Sequence, residues 1–226
     1  MPPVREPEGI SSSSSELLLP DAPGSAPSVE TRAATPPPAA SHTQEIIDPG
    51  QEAPVLNTGD KVLLGLKSSF SPYAAIGWLS SAGYEQMTNT SPNYGTDRGA
   101  FGQRLGAAAI RAITEDAFSE SVFAPILHED PRYYRMGNSH NLAVRVLYAG
   151  TRPLINRTDK GNNSVNFALL AGNFAGSELT YAYYPQSNRS QREILETFGG
   201  SIGGSALGYV VDELLGSFGH ILHVEK

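Results

Sequence analysis

The chain has 226 residues, enough for one domain and a tail, and a formal net charge of −7 that is unevenly distributed. Eight of the 23 acidic and two of the 16 basic residues lie within residues 1–58, so this segment carries −6 and the rest −1. The sequence has no basic stripe, and we therefore expect no nucleic-acid partner. The absence of cysteine excludes disulfides, thiolate metal sites and cysteine nucleophiles, and no motif indicates a cofactor.

Residues 1–57 are predicted to form a disordered, acidic, Pro/Ser-rich tail. Residues 1–58 contain 11 of the 17 prolines and no aromatic residue, so this part buries too little apolar surface to offset the entropy of ordering. We interpret it as a spacer or a tether. Its start lacks the apolar core of a signal peptide, and no clean apolar run of 18 residues in the chain indicates a conventional transmembrane helix.

Residues 58–218 are predicted to form an all-α domain, a compact bundle of five or six helices, and residues 219–226 a frayed C-terminus. Thr58 or Asp60 is the expected cap of the first helix, whose apolar positions Val62, Leu63, Leu66 and Phe70 follow helical spacing. No strand-like alternation persists anywhere. Helices are predicted at about residues 60–70, 73–87, 100–127, 140–149, 164–184 and 191–215.

The segment FGGSIGGSALG within residues 198–208 is the most distinctive stretch of the last predicted helix. It lacks the lysine of a Walker loop and the strand and spacing of a dinucleotide fingerprint. Its glycines recur every four residues and cost the helix up to about 1 kcal/mol each, which close helix–helix packing would offset. Membrane insertion and a ligand loop are the alternatives. The predicted small-residue packing positions are Gly102, Gly106, Gly172, Gly176, Gly200, Gly204 and Gly208.

The segment HEDPRYYRMG, residues 128–137, has the residues best suited to chemistry. His128, Glu129 and Asp130 are candidate general acids, general bases or metal ligands, and Arg132 and Arg135 are candidate anion-binding residues. Three adjacent side chains at a helix end point in different directions, however. The alternative is therefore a structural helix terminus in which Asp130 pairs with an arginine and the two tyrosines anchor the next segment.

Three further sets of residues suggest weaker hypotheses. His220 and His223 share a helical face and are possible metal ligands, although solvated side chains are the simpler interpretation. Glu178 and Glu213 lie within helices, where an apolar environment would raise a carboxyl pKa. A small apolar ligand would require a closed pocket lined by Phe167, Phe174 and Tyr181.

Four segments resemble an uncharacterised family of small, predicted-exported helical proteins from soil bacteria. They are YGTDRGAFGQRLGAA, HEDPRYYRMG, TRPLINRTDKGNNSVNF and YYPQSNR, and the resemblance covers about residues 58–215. The LPDAP at residues 19–23 is similar to the segment that follows the signal sequence in such proteins, although the signal itself is not seen in this chain. The resemblance implies a location in the cell envelope and no particular activity.

These observations favour a non-enzymatic helical protein of the cell envelope that acts through helix packing, self-association or membrane contact. Its expected partners are a second copy, another envelope protein or a membrane surface. One alternative is a metal-binding or hydrolytic helical bundle that uses the region His128 to Asp130. If the protein is neither exported nor in the envelope, we expect it in the cytoplasm. The other alternative is a small apolar-ligand binder.

Overall fold

The computed structural model describes residues 37–223, and for residues 217–223 it describes the backbone alone. The described chain is mostly helical. A π-helical segment, Ala117–Phe123, joins α3 to α4 without a break, so the helices form six rods, in agreement with the predicted five or six. The helices are α1 (Thr58–Ser69), α2 (Pro72–Thr88), α3 (Arg98–Asp116), α4 (Ala124–Leu127), α5 (Leu142–Gly150), α6 (Phe167–Tyr183) and α7 (Gln191–His223).

Five short strands correct the prediction of a purely helical domain. The first pairs in parallel with the third, and the second, fourth and fifth form an antiparallel sheet in the order β2-β4-β5. At two to four residues each, they are too short for apolar and polar residues to alternate recognisably in the sequence. The strands are β1 (Ile46–Ile47), β2 (Glu129–Asp130), β3 (Tyr133–Tyr134), β4 (Ile155–Thr158) and β5 (Asn163–Val165).

Residues 37–57 are ordered, which corrects the predicted tail boundary at residue 57. Ala40, Ile47 and Leu56 are buried, and β1 takes its backbone hydrogen bonds from β3. The segment is ordered because a strand far along the chain provides the backbone partners that its own sequence lacks. Residues 1–36 of the predicted tail lie outside the described residues.

Side chains that cap helices set where two helices begin. Asn57 accepts a hydrogen bond from the backbone N–H of Asp60, and Asp60 accepts one from Asn57, so this pair caps α1 in place of the predicted single residue. At the start of α7, Ser190 accepts from the backbone N–H of Glu193, as the Ser-x-x-Glu spacing of a capping box predicts. The Glu193 carboxylate accepts from Ser91 instead of the Ser190 backbone, so only half of the capping box forms.

The predicted helix 100–127 is present but contains a π-helical turn. Residues 117–123 are wound wider than an α-helix, and Pro125 follows them in the first turn of α4. Because proline has no backbone N–H to donate, the helical hydrogen-bond ladder has to adjust ahead of it. The rod ends at His128, which adopts a left-handed conformation with φ 56°.

The interior of the domain is unusually polar. Arg104 and Glu213 have no exposed surface, and each hydrogen bonds to residues on other elements. The burial of so many ionisable groups is tolerated only because each is ion-paired or hydrogen-bonded. The buried charged residues are Lys61, Glu85, Arg104, Glu115, Glu129, Asp130, Arg132, Arg145 and Glu213.

In the first helix, polar side chains are buried and the apolar stripe is exposed, which is the reverse of an ordinary amphipathic helix. Lys61 and Ser69 are buried, whereas Leu63, Leu66 and Phe70 are about half or more exposed. The Lys61 ammonium donates to both carboxylate oxygens of Asp159, at 2.7 and 2.9 Å. The apolar stripe was therefore correctly located on one face, but that face points outward.

Large apolar side chains are exposed on every α-helix of the described chain. Charged residues that are exposed in the helices lie near their ends, such as Lys67, Arg98 and Arg192. No charged residue occurs within residues 197–211, the central part of α7. Within residues 37–223, no helix combines the length and the hydropathy of a membrane-crossing segment.

Candidate functional site

The segment predicted to carry chemistry holds the fold together instead. His128 is largely exposed, and its Nδ1 lies 3.8 Å from Asp159. Glu129 is buried and accepts hydrogen bonds from the backbone N–H groups of Phe167 and Ala168, the first residues of α6. Asp130 points elsewhere, toward Arg132. The three candidate catalytic side chains therefore do not converge, as the structural interpretation of this segment predicts.

Both predicted anion-binding arginines are occupied by the protein itself. Arg132 donates two hydrogen bonds to Asp130, from Nε at 2.9 Å and from Nη2 at 2.7 Å. Arg135 donates to the carboxylate of Asp48 and to the backbone carbonyl of Asp212. Because both guanidinium groups already face a carboxylate, neither is an open anion site.

Glu213 is a structural centre rather than an activated carboxylate. It accepts hydrogen bonds from Arg145 Nε at 2.8 Å, Tyr133 Oη at 2.7 Å and two backbone N–H groups. Burial alone would raise its pKa, but these donors outweigh burial and lower it. This corrects the expectation of a raised pKa. The other helical carboxylate, Glu178, is half-buried on α6 and lies outside the polar clusters described here.

The remaining metal-ligand hypothesis concerns the end of the chain. The side chains of His220 and His223 lie outside the described residues, although α7 continues as a helix through His223 where a frayed end was predicted. Residues 224–226 also lie outside the description. In the part of the chain that the structure describes, no group of three or more His, Asp or Glu side chains is arranged to hold a metal ion.

The predicted glycine contacts are present on one helix of three. A Cβ at Gly172 or Gly176 of α6 would collide with Ser119 or Glu115, so α6 packs here without room for a methyl group. A Cβ at any of the predicted glycines of α3 or α7 would meet no atom within 4 Å. Gly102, Gly106, Gly200, Gly204 and Gly208 therefore make no close helix contact within the described chain, and their packing role stays a prediction.

The orientation of α7 explains why its glycines meet no other helix of the chain. Ser201 is 9% exposed and Leu207 is 69% exposed, although a helix that packed through its glycines would bury Leu207, which shares their arc, and expose Ser201 on the opposite side. The seryl face turns inward because Ser201 donates a hydrogen bond of 2.6 Å to the buried carboxylate of Glu115. Gly200, Gly204 and Gly208 then border an open space rather than another helix.

This space, which we call the acidic cavity, lies among α2, α3, the π-helical segment, α6 and α7. Its volume is about 430 Å³, within the range of about 300–1,000 Å³ typical of small-molecule sites. The charged residues in its wall are Glu45, Arg111, Glu115, Asp116, Glu120 and Asp212. Five carboxyl groups and one guanidinium thus face the cavity, and Arg111 already donates to Ser81 and Tyr184.

Three of these carboxyls come from consecutive turns of one rod. Glu115 accepts from Ser201, and Glu120 accepts from Ser68 Oγ at 2.9 Å. Within residues 37–223, the carboxylate of Asp116 accepts no hydrogen bond from the protein. Glu120 enters the cavity wall from the π-helical turn, a rare conformation that occurs often at functional sites.

The acidic cavity raises the pKa values of its carboxyls. Burial raises the pKa of Glu115 to about 7, although the Arg111 cation and the Ser201 hydroxyl oppose the shift. Burial also raises the pKa of Asp116 and Glu120, with a further increase from the neighbouring carboxyls. In the folded protein these three carboxyls therefore keep their protons to a higher pH than they would in water.

Two buried donors in the cavity wall have no acceptor among the described residues. Asn173 of α6 is 4% exposed, and its amide Nδ2 makes no hydrogen bond. The indole Nε1 of Trp78 of α2 is also buried without a partner. Orphaned buried donors are costly and uncommon in folded proteins, and both of these atoms are closed off by the surrounding protein.

The predicted apolar pocket does not form. Phe167, Phe174 and Tyr181 are 56%, 43% and 52% exposed, and they lie on the outer side of α6. The inner side of that helix carries small and polar residues, including Ser177 and Thr180. The three apolar rings therefore face outward and do not close a pocket.

Sequence reasoning missed Asp116, Glu120, Asn173 and Trp78 as residues of one site. A signal was present in TEDAFSE, residues 114–120, where three acidic residues lie close together in a helix otherwise rich in small and apolar residues. On comparison with models of known families, with curated proteins and with solved structures, the chain shows no match.

Proposed function

We propose that this protein is a helical protein of the cell envelope whose apolar exterior contacts the hydrocarbon of a membrane. The observation that carries the proposal is the reversed distribution of side chains. The interior holds paired charges, and exposed apolar side chains occur on all seven α-helices of the described chain. Such exposure is costly in water, and extended apolar surfaces indicate interaction with a membrane or another protein.

Single helices show the same reversal. In α2, Glu85 is the sole charged residue and is buried, while Ile76, Leu79 and Met87 are at least half exposed. In α6, the buried positions are small or polar, and Phe167 and Tyr181 face outward. Small residues between helices and apolar residues outside are the pattern expected where the surroundings are lipid.

Lipid accounts for this surface better than a second copy of the chain. A dimer contact covers one patch on each subunit, whereas here the exposed apolar residues are spread over all the helices. The charged residues near helix ends fit a layer in which the polar ends reach water. A location in the envelope is also what the resemblance to predicted-exported proteins implies.

Flotation with vesicles of phosphatidylethanolamine and phosphatidylglycerol tests the proposal. The full chain is expected to float with the vesicles and to remain bound at high salt, because apolar contact is not screened by ions. Replacing two exposed leucines, Leu79→Lys with Leu207→Lys, should move most of the protein to the soluble fraction. A matched pair at exposed polar positions, Ser187→Lys with Gln191→Lys, should leave flotation unchanged.

Circular dichroism of the variants would show whether each remains helical, which separates loss of binding from loss of folding. The lipid proposal would be refuted if the protein stayed in solution as a defined oligomer without detergent and did not bind vesicles. In that case the apolar exterior would be the contact between copies.

A further inference from the structure

We propose that a second cavity, beside the three-stranded sheet, binds a phosphate group. Its volume is about 490 Å³, and its lining comes from residues 47–55, from β2, β3 and β4, and from the turn after β4. We call it the basic cavity, because four of its lining residues are basic: Arg132, Arg135, Arg157 and Lys160. The inference does not depend on the proposed membrane contact, since soluble esters and phospholipids both carry a phosphate.

Charge pairing leaves two of these cations without a partner. Three carboxylates also line the cavity, and each is joined at 2.7 Å to a cation of its own. Within residues 37–223, the side chains of Arg157 and Lys160 form no ion pair and donate no hydrogen bond. The wall therefore keeps two positive charges after all its carboxylates are paired. The pairs are Asp48 with Arg135, Asp130 with Arg132, and Asp159 with Lys61, which comes from α1.

Arg157 is held in place by an aromatic ring. Its Cζ lies 4.3 Å from the centroid of the Tyr134 ring, which is a cation–π contact. The ring is itself fixed, because the Tyr134 hydroxyl donates a hydrogen bond of 2.6 Å to Asp130, the neighbour of Arg157 across the β2–β4 ladder. A guanidinium that is already positioned loses less conformational entropy when a ligand binds, and its N–H donors remain available.

Lys160 provides the second charge from a tight turn. The backbone N–H of Gly161 donates to the carbonyl of Thr158 at 2.8 Å, and Gly161 has a φ of 81°, a conformation that favours glycine. Lys160 lies in this turn, three residues after Arg157, and both residues line the same cavity. The hairpin thus brings both unpaired cations to one space.

Two unpaired cations in one cavity favour a phosphate over a carboxylate. A guanidinium binds phosphate oxygens through paired N–H donors, and a lysine ammonium adds a point charge. A phosphate carries more negative charge and more acceptor oxygens than a carboxylate, so it uses both cations. The volume is within the range of about 300–1,000 Å³ typical of small-molecule sites, which leaves room for the organic part of a phosphate ester.

Calorimetric titration of the full-length protein tests the site, in mild detergent and at constant ionic strength. Inorganic phosphate and glycerol 3-phosphate are expected to bind saturably, acetate to bind more weakly, and glycerol not to bind. Because a ligand that binds only the folded state stabilises it, both phosphates should also raise the melting temperature.

The variants test the two unpaired cations. Arg157→Gln with Lys160→Gln should weaken glycerol 3-phosphate by about tenfold or more, since charge-assisted hydrogen bonds are lost. Arg98→Gln with Arg192→Gln removes the same charge from exposed residues outside the cavity and should leave the affinity unchanged. Arg157→Lys keeps the charge without the paired donors, so it should weaken binding by less than the double variant. Circular dichroism verifies that each variant folds.

Flotation of the same variants identifies the source of the phosphate. If the ligand is a phospholipid head group, the wild type should prefer phosphatidylglycerol to phosphatidylcholine vesicles at low salt, and the Arg157/Lys160 double variant should lose that preference. If the ligand is a soluble ester, the double variant should float as the wild type does and lose only the calorimetric binding. Both results support the proposal, and the calorimetry stands whether or not the protein contacts a membrane.

Three results would overturn the proposal. They are the absence of saturable binding by both phosphates, binding of acetate or glycerol as tight as that of glycerol 3-phosphate, and an equal loss of affinity in the Arg98/Arg192 control. The last result would mean that the net charge of the protein, rather than the basic cavity, attracts the phosphate.

Discussion

Ser201 of α7 donates a hydrogen bond of 2.6 Å to Glu115 of α3, and both residues are buried. This contact joins two helices, although Ser201 and Glu115 are 86 positions apart in the sequence. It turns the seryl face of α7 inward and leaves the neighbouring glycines along the acidic cavity. Four predictions follow from this arrangement and from the buried pairs around it.

Ser201→Ala should lower the free energy of unfolding by about 1–3 kcal/mol, because a buried carboxyl loses its hydrogen-bond donor. Thermal unfolding in mild detergent, followed by circular dichroism, measures the change. Ser205→Ala is the matched control one turn away, since Ser205 makes no hydrogen bond with the described residues through its side chain. If both substitutions cost the same, the Ser201–Glu115 contact does not set the orientation of α7.

Alanine at two glycines should have opposite effects. Gly172→Ala should destabilise the protein, because its Cβ would collide with the backbone of Ser119. Gly106→Ala should stabilise it by up to about 1 kcal/mol, since that position is open and alanine is the better helix former. The same unfolding assay compares them. Destabilisation by both would mean that α3 does pack through its glycines, as the sequence suggests.

Glu213→Gln should cost about 3–5 kcal/mol, because it leaves the Arg145 cation buried without its ion pair. Glu196→Gln removes an exposed partner of Arg192 and should change the stability by less than about 1 kcal/mol. Chemical denaturation of the two variants beside the wild type distinguishes them. Equal effects would show that the Glu213 cluster does not anchor α7 to α5.

The stability of the folded protein should fall as the pH rises from about 5 to about 8. Folding raises the pKa of Glu115 from 4.5 to about 7, so in this range the folded state binds more protons than the unfolded state. The stabilisation is present below the unfolded pKa and is lost as the pH rises through the folded one. Asp116 and Glu120 act in the same direction. The charged groups facing these three carboxyls are Glu45, Arg111 and Asp212.

Melting temperatures across this pH range, at constant ionic strength, provide the measurement. The expected loss is on the order of 1–3 kcal/mol, and Glu115→Gln should make the profile flatter. Glu196→Gln should leave the profile as it is. A wild-type protein that becomes more stable toward pH 8 would contradict the raised pKa values.

Helix positions were predictable because they depend on local signals. Prolines, caps and loops predicted both ends of five of the six helical rods to within three residues, as at α2, where 73–87 was predicted and Pro72–Thr88 is observed. The structural role of Asp130 with an arginine was also predictable, since its partner is two residues away. The strands, and the ordered structure of residues 37–57, were not predictable, because their hydrogen-bond partners lie far along the chain.

The direction in which each helix faces was decided by the tertiary structure alone. A periodic sequence shows that apolar residues share one face, but it does not show whether that face meets protein or another medium. Leu63 and Leu66 share one helical face, as their spacing predicts, and that face is exposed. Gly200, Gly204 and Gly208 of α7 likewise border the acidic cavity rather than a helix of this chain. The sequence by itself determined the helices, their caps and the uneven charge. The tertiary structure decided which faces turn inward, through buried pairs such as Lys61 with Asp159 and Ser201 with Glu115. A buried polar group requires a partner, and these partners lie too far apart in the sequence to be recognised from it.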